Sequence, residues 1–378
     1  RLALPTVKRP MTTVHDSPDL AAVRDALVAA DRVVITCHLR PDGDAIGTEV
    51  AIARALQTLG KTVTILNADR VPRNLDWLAD EQPKGLLQVY ESGHIRQAEA
   101  VATADVLLVC DANAQHRLGD VGGVFRKAGK PVLLLDHHPD PETWFDVSCV
   151  RTDASAAAEI AYDLIAGIDP ELIDTAVATA LYVGIMTDTG SFRYGATTPR
   201  THAIVADILE RGDLKSEPIH VALFDGRSRE GLALLSLALT TIRTHYGGRL
   251  ATLFVTQDMI RQSGAFFDET EGLINYGLSL DGVLAAVIAL ELPSGVKLSF
   301  RSKGDCPINK WASQFGGGGH PNASGAFVKG GQLARTIKDV VDAAPTHVAA
   351  DPDAVAEAEG SLSDADLALL AQFKGGLE

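Results

Sequence analysis

The chain has 378 residues and a formal net charge of −15, from 34 Lys plus Arg against 49 Asp plus Glu. With 46% hydrophobic and 22% charged residues, the composition is that of a globular protein, which excludes disordered and collagen-like chains. An acidic chain is not expected to coat duplex nucleic acid, because that requires many lysines and arginines. Bound metal ions could still supply positive charge for a phosphate.

The first half of the chain alternates strand and helix patterns. Short apolar or β-branched runs predict strands, and helical spacing of apolar residues predicts helices. Such alternation indicates an α/β fold with a doubly wound, mainly parallel sheet. The predicted elements are, in chain order, a helix at 17–30, a strand at 32–37, a helix at 45–60, strands at 62–66, 105–110 and 131–135, and helices at 154–167, 174–186 and 198–211.

Residues 212–229 interrupt this alternation and predict a boundary. The pattern beyond it indicates a smaller α/β domain. Its predicted elements are helices at 230–242, 308–315 and 333–343 and strands at 250–256, 283–290 and 296–302. We therefore expect four regions, namely a catalytic domain at 11–212, a linker at 213–229, a substrate-binding domain at 230–345 and an acidic tail at 346–378 with one helix at 364–373.

Met11 is a candidate natural start, which would make residues 1–10 an added segment. The longest weakly polar stretch, 176–187, is too short to span a bilayer and is broken by Thr179 and Gly184. The four cysteines form no CxxC pair, a pattern typical of reduced thiols inside a cell. We expect a soluble, cytoplasmic protein that does not bind membranes.

Acidic and histidine side chains follow three of the predicted strands. Because parallel strands end at one edge of a sheet, we expect these side chains to converge there. Unneutralised, so many carboxylates would repel one another, and cations would offset that cost. Mixed carboxylate and imidazole ligands suit Mn²⁺, and two metals suit phosphoryl transfer. The residues are His38, Asp42 and Asp44 after the predicted strand 32–37, Asp111 after the strand 105–110, and Asp136, His137 and His138 after the strand 131–135.

Simpler interpretations remain open for each segment taken alone. The first cluster could be a solvated loop in which Asp44 caps the following helix. Asp111 could be a turn residue, and Asp188, at the end of the helix 174–186, could be structural.

A glycine run in the second domain is the other candidate site. Residues 316–319 are all glycine and are followed by His320, and exposed backbone N–H groups of this kind can hold a phosphate. Arg301 and Ser302, at the end of a predicted strand, could supply a guanidinium and a hydroxyl for a phosphate. The alternatives are a flexible hairpin for the glycines and a surface position for Arg301.

The ordered motifs resemble those of a known family. They are HLRPDGDAIG at 38–47, CDA at 110–112, DHHP at 136–139, TDTGSFR at 187–193 and GGGGHPNASG at 316–325. Together they resemble the DHH phosphoesterases with a C-terminal DHHA1 domain, over roughly residues 17–345. The small size resembles the stand-alone nanoRNase and 3′-phosphoadenosine-5′-phosphate (PAP) phosphatase group, members of which also cleave cyclic di-AMP or its linear product.

The resemblance implies a role for each motif residue. The position after Gly47 is usually Ser in this family and is Thr48 here, which keeps the hydroxyl. Asp136 would orient His137, and His138 would face the scissile phosphate. One Mn²⁺ would be held by His38 and Asp42, the other by Asp44, His137 and Asp188, and Asp111 would bridge them. The far phosphate or nucleotide end would be held by Arg301, Ser302, Gly317, Gly318, Gly319 and His320.

The function that follows from the resemblance is a manganese-dependent phosphoesterase, with Mg²⁺ or Co²⁺ as substitutes. A hydroxide between the two metals would attack phosphorus in line, in a cleft between the two domains. The expected substrates are cyclic di-AMP, pApA, PAP and RNA of a few nucleotides. The alternatives are an inorganic pyrophosphatase and a non-catalytic nucleotide sensor. A homodimer is a further hypothesis, for which the sequence shows no interface.

Overall fold

The computed structural model describes residues 13–344 together with Val348. Residues 1–10, Met11 and the predicted helix at 364–373 lie outside the described residues. The chain divides into two compact units, Arg1–Gly226 and Arg227–Glu378. The segment 213–229, expected to be a linker, contains a nine-residue helix, Ser216–Phe224.

The first unit is built on a six-stranded sheet in the order β3-β2-β1-β4-β5-β6, and every neighbouring pair is parallel. The strand order reverses between β1 and β4, which makes the carboxyl ends of these two strands the switch point where open α/β sheets place their sites. The strands are β1 Arg32–Thr36, β2 Thr62–Asn67, β3 Leu87–Val89, β4 Val106–Cys110, β5 Val132–Asp136 and β6 Val147–Val150.

Both faces of this sheet are buried, as the uninterrupted apolar runs in β4 and β5 require. Along β1, Val33 and Ile35 join the core formed with α2, α6 and α7, whereas Val34 joins the core formed with α4 and α5. The predicted doubly wound architecture is thus confirmed. The helices are α1 Pro18–Ala29, α2 Gly43–Thr58, α3 Asp76–Asp80, α4 Ile95–Thr103, α5 Gly119–Lys127, α6 Ala157–Ile168, α7 Thr175–Asp188, α8 Pro199–Arg211 and α9 Ser216–Phe224.

Helices α2 and α7 approach each other closely enough to require a glycine. A Cβ on Gly47 would lie 2.4 Å from the carbonyl oxygen of Ala180, and a Cβ on Gly184 would lie 3.0 Å from Oδ1 of Asp44. This contact brings the start of α2, which carries Asp44, next to the end of α7, which carries Asp188.

The second unit contains a mixed six-stranded sheet in the order β11-β12-β10-β9-β8-β7, in which only β8 and β9 are parallel among the described pairs. The glycine run begins a hairpin, β11–β12, where no strand was predicted. The elements are β7 Arg243–His245, β8 Leu250–Val255, β9 Ala285–Leu292, β10 Gly295–Ser302, β11 Gly318–His320 and β12 Ala323–Lys329, with α10 Arg229–Thr240, α11 Gln257–Ser263, α12 Ile274–Leu278, α13 Asn309–Ser313 and α14 Leu333–Ala343.

The four cysteines are all buried, and none is in a disulfide. Cys37 and Cys110 lie at the ends of β1 and β4 with no exposed surface. Among the described residues, no helix has the length and apolar character needed to cross a bilayer.

Candidate metal centre

The first cluster forms where β1 passes into α2. Asp42 is the N-cap of α2, and its Oδ1 accepts from the backbone N–H groups of Asp44 (3.0 Å) and Ala45 (3.1 Å). The helix cap is therefore Asp42 and not Asp44. The His38 ring places Nδ1 2.8 Å from the carbonyl oxygen of Leu39, which puts the ring proton on Nδ1 and turns Nε2 towards the acidic groups.

Asp111 lies between two histidines at the end of β4. Its Oδ2 is 3.3 Å from Nε2 of His38, and its Oδ1 is 3.4 Å from Nε2 of His137. Asp111 has a left-handed backbone, with φ of 54°, and its N–H donates to the carbonyl oxygen of Leu135. One carboxylate thus presents a different oxygen to each of two groups of side chains.

The second group surrounds His137. Its Nε2 lies 3.7 Å from Oδ2 of Asp44 and 3.5 Å from Oδ2 of Asp188. Its Nδ1 is 3.3 Å from the carbonyl oxygen of Ala154, which orients the ring with Nε2 towards the carboxylates. The sheet edge thus brings together His38, Asp42, Asp44, Asp111, His137 and Asp188, the six predicted ligand positions.

These contacts fit coordination of divalent cations. With metal–ligand bonds of about 2.1 Å, neighbouring donor atoms lie about 3.0–3.4 Å apart, close to the spacings observed here. Oδ1 of Asp111 is buried without a hydrogen-bond partner among the described residues. A buried carboxylate oxygen in that position is costly unless a cation or a donor compensates it. The cluster is therefore able to bind metal ions.

The pKa values in the cluster reflect the same need for positive charge. Burial raises the pKa of Asp44 well above its ordinary range, and Asp111 and Asp188 nearby raise it further. Burial raises the pKa of Asp188 to about 6. Burial acts in the same direction on Asp111, but its histidine neighbours outweigh burial and hold its pKa well below the usual range. Cations would stabilise the ionised form of all three carboxylates.

Asp136 contacts His138 rather than the ring of His137. Its Oδ1 lies 2.8 Å from Nδ1 of His138 and accepts from the backbone N–H groups of His137 (2.8 Å) and His138 (3.1 Å). The expectation that Asp136 orients His137 therefore holds only for the backbone of that residue. Burial lowers the pKa of His138, but the carboxylates of Asp111 and Asp136 outweigh burial and raise the pKa overall.

Sequence reasoning missed the groups that hold Asp44. Its carboxylate accepts from the N–H groups of Ala157 (2.6 Å) and Ala158 (2.9 Å), which are the first residues of α6. The Thr48 hydroxyl lies 3.3 Å from Oδ1 of the same carboxylate. Backbone N–H groups carry no sequence signature, so the only available signal was the start of a helix after the third cluster.

A buried ion-pair network supports the segment that carries these groups. Asp163 has no exposed surface, and its Oδ2 accepts from Nη1 of Arg151 at 2.7 Å. Arg200 donates from Nη2 to both oxygens of Asp163, at 2.5 and 2.7 Å. Residues 151–158, here called the brace segment, supply both the carbonyl that orients His137 and the N–H groups that hold Asp44.

A second missed group lies beneath the first cluster. Glu49 on α2 has no exposed surface, and its Oε2 accepts from Nδ2 of Asn67 at 2.7 Å. Asn67 in turn accepts from the N–H of Cys37 at 3.2 Å. Burial raises the pKa of Glu49 to about 8. Glu49 was not singled out in the sequence because its position reads as part of the buried side of a helix.

In the second unit, strand pairing brings Arg301 and His320 into register. Both pair with Ala323 of β12, from opposite sides. Two strand spacings separate them, which is about 9–10 Å. The Ser302 hydroxyl is used inside the unit, because it donates to the carbonyl of Cys306 and accepts from Asn322.

The last three glycines of the run, Gly317, Gly318 and Gly319, differ in their surroundings. A Cβ on Gly317 would lie 2.0 Å from the carbonyl oxygen of Gly325, and Gly319 has φ of 137°. Gly318 has nothing within 4 Å of the position of a Cβ. Gly317 and Gly319 are therefore required by packing and backbone conformation, whereas Gly318 faces open space.

Comparison with known proteins assigns both units. Residues 32–185 match the DHH family, N-terminal domain, and residues 247–345 match the DHHA1 domain. The chain is 30% identical over 317 residues to the bifunctional oligoribonuclease and PAP phosphatase NrnA of Thermus thermophilus, covering 82% of this chain and 88% of the relative. The chain belongs to the DHH phosphoesterase family. Its DHH domain carries five of the six clustered side chains, and Asp188 lies just beyond the matched range.

Other relatives agree with this assignment of the DHH and DHHA1 domains. The chain is 27% identical over 305 residues to the NrnA of Bacillus subtilis, covering 79% of this chain and 90% of the relative. An exopolyphosphatase-related protein from Bacteroides fragilis matches with a TM-score of 0.78 at 25% identity, covering 87% of this chain and 95% of that structure. The resemblance and the fold class inferred from sequence are confirmed.

Proposed function

We propose that this DHH-family protein hydrolyses phosphate esters of short nucleotides with two divalent cations, Mn²⁺ in preference to Mg²⁺ or Co²⁺. The observation that carries the proposal is the position of Asp111. Its two oxygens face His38 and His137 separately, at 3.3 and 3.4 Å, as a bridging ligand does. Carboxylate together with imidazole is a ligand set that suits Mn²⁺ better than Mg²⁺.

The contacts support a specific division of the ligands. His38 and Asp42, whose Nε2 and Oδ1 are 3.8 Å apart, would hold one cation. Asp44, His137 and Asp188 would hold the other, and Asp111 would bind both. When bound, such a pair of cations supplies Lewis acidity to phosphate oxygens and lowers the pKa of water.

The remaining residues would bind and orient the substrate. Asp136 fixes the His138 ring through Nδ1, which leaves Nε2 as the ring atom to face a phosphate. Because the pKa of His138 is raised, its protonated form would stabilise negative charge developing on phosphate oxygens. In the DHHA1 domain, Arg301, His320 and Gly317–Gly319 would hold the distal phosphate or nucleotide end, with Ser302 positioning the neighbouring loop.

The substrate class rests on the relatives. The two named NrnA proteins are each described as an oligoribonuclease and PAP phosphatase. We extend this to the present chain and include pApA and cyclic di-AMP, which share an adenosine and a phosphate with PAP. For domain boundaries we propose a catalytic domain at 11–212 and a substrate-binding domain at 230–345.

The test measures AMP release from cyclic di-AMP, pApA, a five-nucleotide RNA and PAP side by side, with Mn²⁺ and with chelator. We expect Mn²⁺-dependent AMP formation, and the order of the rates will identify the preferred substrate. Absence of hydrolysis of all four by the metal-loaded protein would contradict the proposal. Turnover of pyrophosphate alone would then indicate a pyrophosphatase, and nucleotide binding without turnover would indicate a sensor.

A further inference from the structure

Three arginines lie on loops that leave the carboxyl edge of the first sheet. Arg40 is in the loop between β1 and α2, Arg70 follows β2 by three residues, and Arg117 follows β4 in a short 3₁₀ helix. Because β2, β1 and β4 are adjacent, their loops leave the sheet side by side. We call Arg40, Arg70 and Arg117 the arginine rim.

Hydrogen bonds join the three loops. The N–H of Arg40 donates to Oδ2 of Asp69 at 2.7 Å, and the N–H of Leu39 donates to the carbonyl oxygen of Arg117 at 2.6 Å. The Arg117 guanidinium donates to Oδ1 of Asn113 at 3.3 Å, so Arg40 and Arg70 supply the exposed guanidinium groups of this connected surface. The Asp69 carboxylate is the acidic group in these contacts, and it is already engaged by the backbone of Arg40.

Arg40 has an unusual backbone for its residue type. Its φ is 53°, a left-handed conformation that costs a residue other than glycine about 1–2 kcal/mol. Asn or Gly would occupy this position at lower cost, so the arginine is not explained by the turn. Arg40 and Arg70 are exposed, and neither has an ion-pair partner within the described part of the chain.

We propose that the arginine rim binds the phosphates of a single-stranded oligonucleotide that lie beyond the scissile phosphate. Arg40 is two residues from both His38 and Asp42, and two residues span at most about 7 Å. Its guanidinium can therefore reach a phosphate next to one held at the metal centre, and arginine binds phosphate through paired N–H donors. The proposal rests on the proposed function and extends it, because it assigns oligonucleotide binding to the DHH domain itself.

The test is binding of a fluorescent five-nucleotide RNA with hydrolysis-resistant phosphorothioate linkages to the full-length, Mn²⁺-loaded protein, followed by anisotropy, with the phosphorothioate analogue of PAP as the short ligand. We expect Arg40→Glu with Arg70→Glu to weaken RNA binding by at least about tenfold, since each charge-assisted hydrogen bond contributes about that factor. The dependence of the binding constant on salt should also become shallower. Arg70→Glu alone should change PAP binding by less than about twofold, because PAP has no phosphate that far from the reacting one.

The matched control is Arg32→Glu, an exposed arginine at the opposite end of β1. It changes the net charge equally but lies at the amino edge of the sheet. Equal losses from Arg32→Glu and Arg40→Glu would overturn the proposal, as would RNA binding unchanged in the double variant with an unaltered melting temperature. Because this test measures binding and not turnover, a catalytically inactive wild-type protein would contradict the proposed function but would leave the proposal for the arginine rim to be decided by the binding data.

Discussion

The cluster in the DHH domain and the glycine hairpin in the DHHA1 domain reach their geometry by opposite means. Asp44, Asp111 and His137 in the cluster are buried, and the N–H groups of Ala157 and Ala158 fix the Asp44 carboxylate. The hairpin contains Gly318, which has open space where a side chain would be. The difference indicates that the reacting groups are held rigidly, whereas the hairpin keeps backbone accessible to a ligand.

The largest expected effect comes from removing the bridging ligand. Asp111→Asn should lower kcat by at least about 10³-fold, about 4 kcal/mol of transition-state stabilisation, because one carboxylate serves both groups of ligands. Calorimetry should also show fewer Mn²⁺ ions bound per chain. Asp105→Asn, just before β4 at the other end of the strand, is the matched control, since the Asp105 carboxylate accepts from the backbone N–H groups of Asp31 and Arg32. Comparable activity of Asp111→Asn and wild type would refute the two-cation arrangement.

The second largest expected effect is on stability, from breaking the ion pairs that support the brace segment. Asp163→Asn removes the buried carboxylate that pairs with Arg151 and Arg200, and we expect a loss of about 3–5 kcal/mol in the free energy of unfolding. Urea denaturation measures it. Asp342→Asn, in an exposed pair with Lys338 on α14, should cost under about 1 kcal/mol. Equal losses in the two variants would show that the DHH domain is not braced as we describe.

The buried Glu49 beneath the metal centre leads us to expect that the stability of the DHH domain depends on pH. Its folded pKa is about 8 against an ordinary 4.5, so the folded state keeps a proton that the unfolded state loses in this range. The free energy of unfolding therefore falls as pH rises from 4.5 to 8, by at most about 1.4 kcal/mol per pH unit. In chelator-treated protein, Glu49→Gln should make this slope shallower, and exposed Glu81→Gln should leave it unchanged. Asp44 and Asp188, whose pKa values are also raised, account for the remaining slope. A slope unchanged by Glu49→Gln would show that Glu49 titrates normally.

The smallest expected effect tests whether the glycine hairpin binds the substrate. Gly318→Ala should leave the melting temperature unchanged but raise KM for nucleotides by about tenfold, because a methyl group would occupy the space through which a ligand reaches the backbone. Gly317→Ala should instead lower the melting temperature, since its Cβ would lie 2.0 Å from a carbonyl oxygen. An unchanged KM for Gly318→Ala would show that the hairpin does not contact the substrate at Gly318.

The sequence allowed prediction of the elements that are buried on both faces. β1, β4 and β5 lie within a residue or two of their predicted ranges, because runs such as Val106–Cys110 have only one stable environment. β12 was missed because ASGAFVK begins with small residues, and β3 because it has three residues. The convergence of the ligand side chains followed from strand order, whereas the roles of Ala154, Ala157 and Ala158 depend on backbone groups that any residue carries.

Two buried cysteines can report on local opening of the DHH domain. Cys37 and Cys110 immediately precede His38 and Asp111 and have no exposed surface, so an alkylating reagent reaches them only when that edge of the sheet opens. Burial also raises the pKa of both thiols, which suppresses the reactive thiolate. The rate of alkylation at these two positions therefore measures the free energy of opening at the edge of the sheet that carries the metal centre. No label has to be added to the chain.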